Sequence, residues 1–409
     1  MAELQTRDPD RARAAHLLRR ATLRVDQDRI DRFAGLSWTD GVTELLQEAG
    51  NGAAGQVPAP DDDWGQVVQW WLEQMVAPGS GIAERLTWFW HTLLTTHAGK
   101  VGDARLVADQ LTVLRANATG NYRELLHAFV TSGALLEFLD ASWSMASNPN
   151  ENLGRELMEL FTIGPGNYTQ DDVRAAARAL AGWVVEDGEV SWRREHAFVA
   201  PLLFRGVQDT WDTTKIVDHL CDQPETAANI AAMLWHHLLG TELTPDGAAE
   251  LGRWWQDQEL EILPLVERIL TDPAAADARL NRPRTGLEWY CAAHSALGAS
   301  QVSPWHLEPL DQVPYRPPNV GGWPADDRWL LPGSLLGRLS LLAEIDLDRV
   351  AHGRSGTATE VLDRCGLYEI SAATRAVIDA AAGHETLSPE AARLTTWRLA
   401  LSSPEFQLA

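Results

Sequence analysis

The sequence has few cysteines, few positive charges and no long apolar run. Its three cysteines, Cys221, Cys291 and Cys365, are far apart and odd in number. This excludes a disulfide scaffold or a zinc ribbon and is typical of a reducing compartment, so we expect a cytoplasmic protein. The 34 Lys and Arg residues are outnumbered by 57 Asp and Glu, for a net charge of −23. We therefore expect no nucleic-acid partner and an acidic, soluble surface.

Signals for membrane insertion, export and common cofactors are also lacking. No stretch reaches the roughly 18 apolar residues of a membrane span, and the basic N-terminal segment is not followed by the apolar region of a secretory signal. The sequence has no phosphate-binding loop, no dinucleotide fingerprint, no nucleophile elbow and no kinase motif set. Its histidines and cysteines lack metal-ligand spacing. We predict no membrane span and no dedicated metal site, and the sequence identifies no cofactor.

Helical periodicity dominates what is present, and it predicts an all-α protein. The clearest helices are predicted at residues 11–22, 38–49, 64–76, 83–96, 106–116, 122–131, 151–163 and 171–183. Residues 183–192 depart from this pattern by alternating around an Asp-Gly turn, which predicts a small β-hairpin. No segment has the character of a flexible linker, so we predict one helical domain over residues 1–409. If that body divides, sub-lobes 1–182 and 213–409 would join through 183–212.

The segment 148–164, NPNENLGRELMELFTIG, carries the richest pattern. Asn148 is predicted to cap a helix that Gly164 ends. At about 100° per residue, one face of this helix is apolar and the opposite face is polar. The polar stripe consists of Asn152, Arg155, Glu156 and Glu159. Such a stripe is either a solvated face with weak ion pairs, or part of a cleft in which the glutamates serve as acid and base or bind a metal.

A second predicted helix follows after a short Gly-Pro-Gly turn, so the two helices should be antiparallel neighbours. Its polar positions, at i, i+4 and i+8, are Gln170, Arg174 and Arg178. We expect the acidic and basic stripes to face each other, with Glu156 and Glu159 close to the two arginines. That network is either purely structural or holds an anionic or polyhydroxylated ligand.

The segment 315–324, YRPPNVGGWP, combines adjacent prolines with a glycine pair, which predicts a stiff loop. Such a loop can present Arg316, Asn319 and Trp323 in fixed positions. Alternatively, it is a surface strap whose tryptophan covers an edge of the core. Tryptophan is unusually frequent, at 18 residues against 5 Tyr and 8 Phe. We expect the tryptophans of the helices to be core packing.

These segments resemble the bacterial domain-of-unknown-function 1800 family. The matching segments occur in order at 15–22, 88–91, 148–164, 167–169, 176–183, 196, 234–237, 316–324 and 401–406. The resemblance covers essentially the whole chain and implies a helical fold, but it carries no settled activity. It also implies a partner, because members are often encoded beside exported alkaline-phosphatase-like proteins. The chain departs from the family where Thr92 replaces an aromatic residue and where Ala197 follows His196.

Two hypotheses follow from these residues. The first is a polar cleft that binds a sugar-like or other hydroxyl-rich or anionic ligand, with hydrolysis or group transfer as the reaction class if the protein is an enzyme. Glu156 and Glu159 are the candidate catalytic pair. The candidate ligand-binding residues are Asn152, Arg155, Arg174, Arg178, Arg316, Asn319 and Trp323. The second hypothesis is a non-catalytic scaffold or partner of an alkaline-phosphatase-like protein, with tryptophan clusters as interface anchors.

Overall fold

Helices make up most of the fold in this computed structural model, which describes residues 3–49, 55–298, 301–324, 326–344 and 356–409. The first eleven are α1 (Pro9–Ala21), α2 (Gln27–Ala34), α3 (Trp38–Ala49), α4 (Trp64–Val76), α5 (Ile82–Leu93), α6 (Ala98–Val101), α7 (Ala104–Asn117), α8 (Tyr122–Val130), α9 (Gly133–Phe138), α10 (Glu151–Glu159) and α11 (Gln170–Ala179). They include all eight helices predicted from periodicity. The predicted all-α class is confirmed.

The remaining helices follow a short β segment. They are α12 (Thr213–Cys221), α13 (Pro224–Leu239), α14 (Pro245–Asp257), α15 (Ile262–Thr271), α16 (Pro273–Asp277), α17 (Gly286–Leu297), α18 (Pro332–Glu344), α19 (Ala358–Arg364), α20 (Ala372–Ala382) and α21 (Pro389–Ser402). Three 3₁₀ helices accompany them, η1 (Pro304–Leu310), η2 (Asp326–Leu330) and η3 (Pro404–Gln407).

Within the described ranges, six short strands form three antiparallel pairs. The predicted hairpin is confirmed as β2 (Trp183–Glu186) and β3 (Glu189–Trp192), with Trp183 opposite Trp192. The other pairs are β4 (Leu202–Phe204) with β5 (Val207–Asp209), and β1 (Leu4–Thr6) with β6 (Glu369–Ser371). These strands are only three residues long, which is too short for alternation to be recognised in a sequence.

Helix α10 begins and ends at residues that differ from the prediction. Asn148 is not its cap; Asn150 is, and its side-chain oxygen accepts the N–H of Asn152 at 2.8 Å. The Asn150 amide also donates to the carbonyl of Leu139 at 3.2 Å, so tertiary contacts select this asparagine. The helix ends at Glu159 rather than 163. The Thr162 hydroxyl donates to the carbonyl of Leu157 at 2.6 Å, and this side-chain bond replaces a helical backbone bond.

The buried apolar side chains form one contiguous cluster that draws on most of the helices. Several tryptophans of the helices are completely enclosed in it, as predicted: Trp71, Trp88, Trp90, Trp255, Trp289 and Trp397. Trp70 and Trp254 are only half-buried and pack against its edge. Packing therefore accounts for much of the tryptophan excess. A division into two sub-lobes stays a prediction.

A buried carboxylate joins three parts of this core. Glu288, in the first turn of α17, forms a capping box with Thr285 and bonds the guanidinium groups of Arg85 on α5 and Arg282, the latter at 2.8 Å. Arg85 also donates to the carbonyl of His237 on α13 at 3.4 Å. Burial alone would raise the pKa of Glu288, but the two arginines outweigh it and hold the pKa well below its usual range.

Replacing Glu288 by Ala should therefore destabilise the protein severely, because Arg85 and Arg282 would stay buried without a counter-charge. We expect the free energy of unfolding, measured in urea, to fall by about 3–5 kcal/mol. The matched control is Asp379→Ala, which removes an exposed ion pair with Arg375 and should cost no more than about 1 kcal/mol. Equal losses in the two variants would contradict a special role for the buried carboxylate.

Candidate ligand-binding site

The predicted stiff loop starts at a residue held in an unusual backbone conformation. Tyr315 is completely buried and has a φ of 60°, the left-handed region that a bulky side chain rarely adopts. Its N–H donates to Nε2 of His91 at 3.1 Å, and its carbonyl accepts the N–H of Ala98 at 2.8 Å. Such strain persists only where the surroundings fix it. Here His91 on α5 holds the N–H of Tyr315, and Ala98 on α6 holds its carbonyl.

His91 lies in a box of aromatic rings. The ring centroids of Trp71, Trp88, Tyr315 and Trp323 lie 5.1, 5.6, 4.3 and 5.6 Å from its imidazole. Burial in this apolar box lowers the pKa of His91 to about 3, so the ring is neutral. Because Nε2 accepts a hydrogen bond, the ring proton resides on Nδ1. His91 therefore acts as a positioning residue for the loop.

The far end of the loop is a tight turn that rests on α5. The side-chain oxygen of Asn319 accepts the N–H of Gly321 at 2.9 Å, and its carbonyl accepts that of Gly322 at 3.1 Å. Gly322 has a φ of +82°, and a Cβ there would lie 2.5 Å from the carbonyl oxygen of Thr92. Only glycine fits this close approach. The prediction of a fixed loop is confirmed, and the second glycine of the pair explains why.

An open cleft of about 930 Å³ lies beside the loop. Its described lining residues are Glu308, Asp311, Val313, Arg316, Pro318, Asn319, Gly321, Gly322, Trp323, Pro324, Arg328, Trp329, Leu331, Gly333 and Ser334. Three of the predicted site residues, Arg316, Asn319 and Trp323, are therefore brought together. The ring of Trp323 packs against Trp88 at 5.6 Å, and the half-buried side chain also lines the cleft, so its role as a ligand platform stays a prediction.

The charges in the cleft are only partly paired. Arg316 bonds the carboxylate of Glu308. Within the described residues, neither Arg328 nor Asp311 makes a side-chain ion pair, although both line the cleft. Trp329 donates its indole N–H to the carbonyl of Pro324 at 2.8 Å, which fixes the Trp329 ring to the end of the loop. The cleft thus offers both donors and acceptors in a rigid frame.

The other six predicted residues lie along α10 and α11. The two helices pack closely because Gly154 faces α11, where an added Cβ would lie 3.1 Å from that of Ala176. Gln170 links them, since its amide donates to Glu151 at 2.7 Å and its oxygen accepts from Arg155 at 3.0 Å. No residue of α10 or α11 is among the described residues that line the cleft.

The expected network of Glu156 and Glu159 with Arg174 and Arg178 does not form. Arg174 instead pairs with Asp171 at 2.8 Å, and Arg178 lies over the ring of Phe198 at 5.6 Å. The reason is rotational, because Glu156 follows Gly154 by two residues and so lies about 200° around the helix from the face that meets α11. Glu159 bonds the hydroxyl of Tyr168.

Glu156 is half-buried, and burial raises its pKa, assisted by the negative charge of Glu159 and opposed by Arg155. No hydrogen bond to this carboxylate is present within the described part of the chain. An unpaired carboxyl of raised pKa is a common property of acid catalysts. Asn152, one turn earlier, is exposed.

The family whose description reads protein of unknown function, DUF1800, matches residues 16–408. The chain belongs to this family. No curated protein and no solved structure matches it. In this DUF1800 protein, the two longest family motifs thus build two different surfaces, one along α10 and α11 and one beside the loop at 315–324.

Further residues that fix or line the DUF1800 cleft were not among the predicted site residues. His91 fixes the loop, and its presence in the tryptophan-rich motif at 88–91 was the available signal. Arg328 and Ser334 line the cleft but lie outside any motif recognised from sequence. Within the described ranges, no group of three or more His, Cys, Asp or Glu side chains is placed to hold a metal ion, and no helix is long and apolar enough to span a membrane.

Replacing Glu156 by Gln should leave stability unchanged or raise it. The raised pKa means that the folded state favours the protonated carboxyl, so Glu156 contributes stability at low pH that is lost as pH rises through the folded pKa. A neutral amide removes that loss at pH 7. We expect the melting temperature of Glu156→Gln to equal or exceed that of the wild type, whereas Glu159→Gln, which weakens the bond from Tyr168, should melt lower. A large drop in the melting temperature of Glu156→Gln would contradict this expectation and would indicate that the carboxylate stabilises the fold.

Replacing His91 by Leu should destabilise the loop in a pH-dependent way. The N–H of Tyr315 loses its acceptor, which should cost about 1–3 kcal/mol at pH 7. Because the pKa of His91 is about 3 in the folded protein and about 6.5 when unfolded, wild-type stability falls as pH drops through this window. As pH is lowered, the difference in the free energy of unfolding between variant and wild type should therefore narrow, by up to about 1.4 kcal/mol per pH unit. Urea unfolding at pH 7, 6 and 5 measures it, and a constant difference would be inconsistent with a neutral buried ring.

Proposed function

We propose that this DUF1800 protein binds a hydroxyl-rich, sugar-like ligand in the cleft beside the loop at 315–324. The observation that carries the proposal is the rigidity of the cleft wall. Tyr315 is fixed by α5 and α6, and Gly322 rests on the carbonyl of Thr92. Little conformational entropy is then lost when a ligand binds, which favours affinity.

The chemistry of the lining supports a ligand with many hydroxyl groups. A hydroxyl both donates and accepts, and the cleft presents acceptors on Asp311 beside donors on Arg316 and on the free amide nitrogen of Asn319. The half-buried Trp323 adds an indole ring, which suits the apolar face of a sugar ring. Mixed polar and aromatic linings of this size are typical of small-molecule sites.

Hydrolysis or group transfer by Glu156 and Glu159 stays a prediction. The raised pKa of Glu156 supports a role as an acid. However, these carboxyl groups lie on α10, and no hydrogen bond or ion pair joins them to the cleft within the described residues. Binding is therefore proposed for the cleft alone, and catalysis would require the substrate to reach α10 as well.

The alternative function, a partner of an alkaline-phosphatase-like protein, is favoured by an exposed aromatic surface next to the β2–β3 hairpin. Trp143 and Trp192 are 43% and 45% exposed, and Arg193 lies over the Trp143 ring at 5.2 Å. Exposed indoles beside arginine are common in protein interfaces. A cytoplasmic location is part of the proposal, supported by three cysteines that are free and buried.

Ligand binding can be tested with a panel of neutral mono- and disaccharides by isothermal titration calorimetry, since 18 tryptophans make fluorescence hard to interpret. We expect at least one sugar to bind, and Arg316→Gln to weaken that binding roughly tenfold by removing a charged hydrogen-bond donor. Arg375→Gln, an exposed ion-paired arginine on α20, should leave it unchanged. Absence of binding by every sugar, or equal weakening in both variants, would refute the proposal.

A further inference from the structure

The first turn of α18 forms one wall of the cleft and has unused hydrogen-bond donors. Gly333 and Ser334 both line the cleft. Pro332 has no N–H, and Leu331, whose carbonyl accepts from Leu335 at 3.1 Å, has no side-chain oxygen that could cap the helix. Within the described residues, the N–H groups of Gly333 and Ser334 therefore have no acceptor.

Side-chain donors in the lining of the same cleft are also unsatisfied, which is an observation independent of the helix end. Ser334 is only 8% exposed, and its buried hydroxyl has no hydrogen-bond partner in the described structure. The indole N–H of Trp323 is buried and equally without a partner there. Buried polar groups are nearly always paired in folded proteins, with protein or with ordered water, so these two donors can take an acceptor that the described part of the chain does not supply.

All of these groups are donors, and they adjoin a positive charge. Arg328 lines the cleft and has no side-chain acceptor within the described residues. Of the described acids in the lining, Glu308 is bonded to Arg316, and Asp311 carries the remaining negative charge. The partial positive charge of a helix N-terminus adds to that of Arg328. Two backbone N–H groups, a hydroxyl and a guanidinium are a typical donor set for a phosphate or sulfate group.

We infer that the N-terminus of α18, with Ser334, Trp323 and Arg328, is an oxyanion subsite of the cleft. The ligand is then a hydroxylated molecule that carries a phosphate or sulfate group, with its hydroxyls directed to Asp311 and Asn319. This inference rests on the proposed function and narrows its ligand class. It also accounts for an anionic ligand in a protein of net charge −23, because Arg328 and the helix N-terminus supply positive charge locally.

Inorganic phosphate and inorganic sulfate, titrated separately into the full chain by calorimetry, are the direct probes. We expect saturable binding of at least one anion, weakened roughly tenfold or more by Arg328→Gln and unchanged by Arg375→Gln. Binding that is unaffected by Arg328→Gln would place the anion elsewhere and overturn the inference.

Ser334→Ala separates a ligand-binding role from a structural one. Without anion, its melting temperature should equal or exceed that of the wild type, because an unsatisfied buried hydroxyl is removed. With phosphate or sulfate, the rise in melting temperature should be smaller than in the wild type. A variant that melts lower without anion and keeps the full rise would show that the hydroxyl is structural.

The two proposals fail in different ways. If neutral sugars bind and neither anion does, the oxyanion subsite is wrong and the proposed function stands. If the anions bind at Arg328 but no neutral sugar does, the subsite stands and the hydroxyl-rich ligand is wrong. If nothing binds, both are wrong.

Discussion

The buried carboxylate of Glu288 is the interaction on which the arrangement of the site depends. It fixes Arg85, and therefore the helix α5, against the start of α17. The same helix carries His91, which holds the N–H of Tyr315, and Thr92, on whose carbonyl Gly322 rests. The loop at 315–324 is thus positioned through one rigid helix. Since loss of the acid would leave two buried arginines without a counter-charge, and loss of either arginine would weaken the charge compensation of the acid, the frame of the cleft is strongly constrained.

The cleft is built from the ends of structural elements, whereas the polar stripe of α10 lies along a helix face. At the cleft, the turn at Asn319 and the first turn of α18 each leave backbone groups oriented by the fold. Preoriented dipoles of this kind recognise a ligand without reorganisation. The α10 face instead contains charged side chains that bond neighbouring side chains, such as Glu159 with Tyr168 and Arg155 with Gln170. This difference explains why the loop is the better candidate for binding, although both segments are family motifs.

Local sequence predicted the helices, the β2–β3 hairpin and the stiff loop, because caps, periodicity and prolines act over a few residues. Prediction from local sequence failed where two interacting side chains are far apart in the sequence. The expected facing of Glu156 and Arg174 was wrong because Gly154, a small residue that admits a neighbouring helix, decides which side of α10 meets α11. The pair of Arg85 with Glu288 spans 203 positions, and the contribution of Ser334 to the cleft depends on where α18 packs. Neither follows from periodicity.

The pairing of β1 with β6 has a consequence for how the chain is made. Arg7 bonds the carbonyl of Leu367, 360 positions further along, and the adjacent strands pair over three residues. At about 5–20 residues per second, a ribosome needs roughly 20–70 seconds to supply the second strand after the first has emerged. For that time Leu4–Thr6 has no partner strand, so its β conformation forms late in synthesis. The pairing of β1 is therefore completed only when β6 has been synthesised.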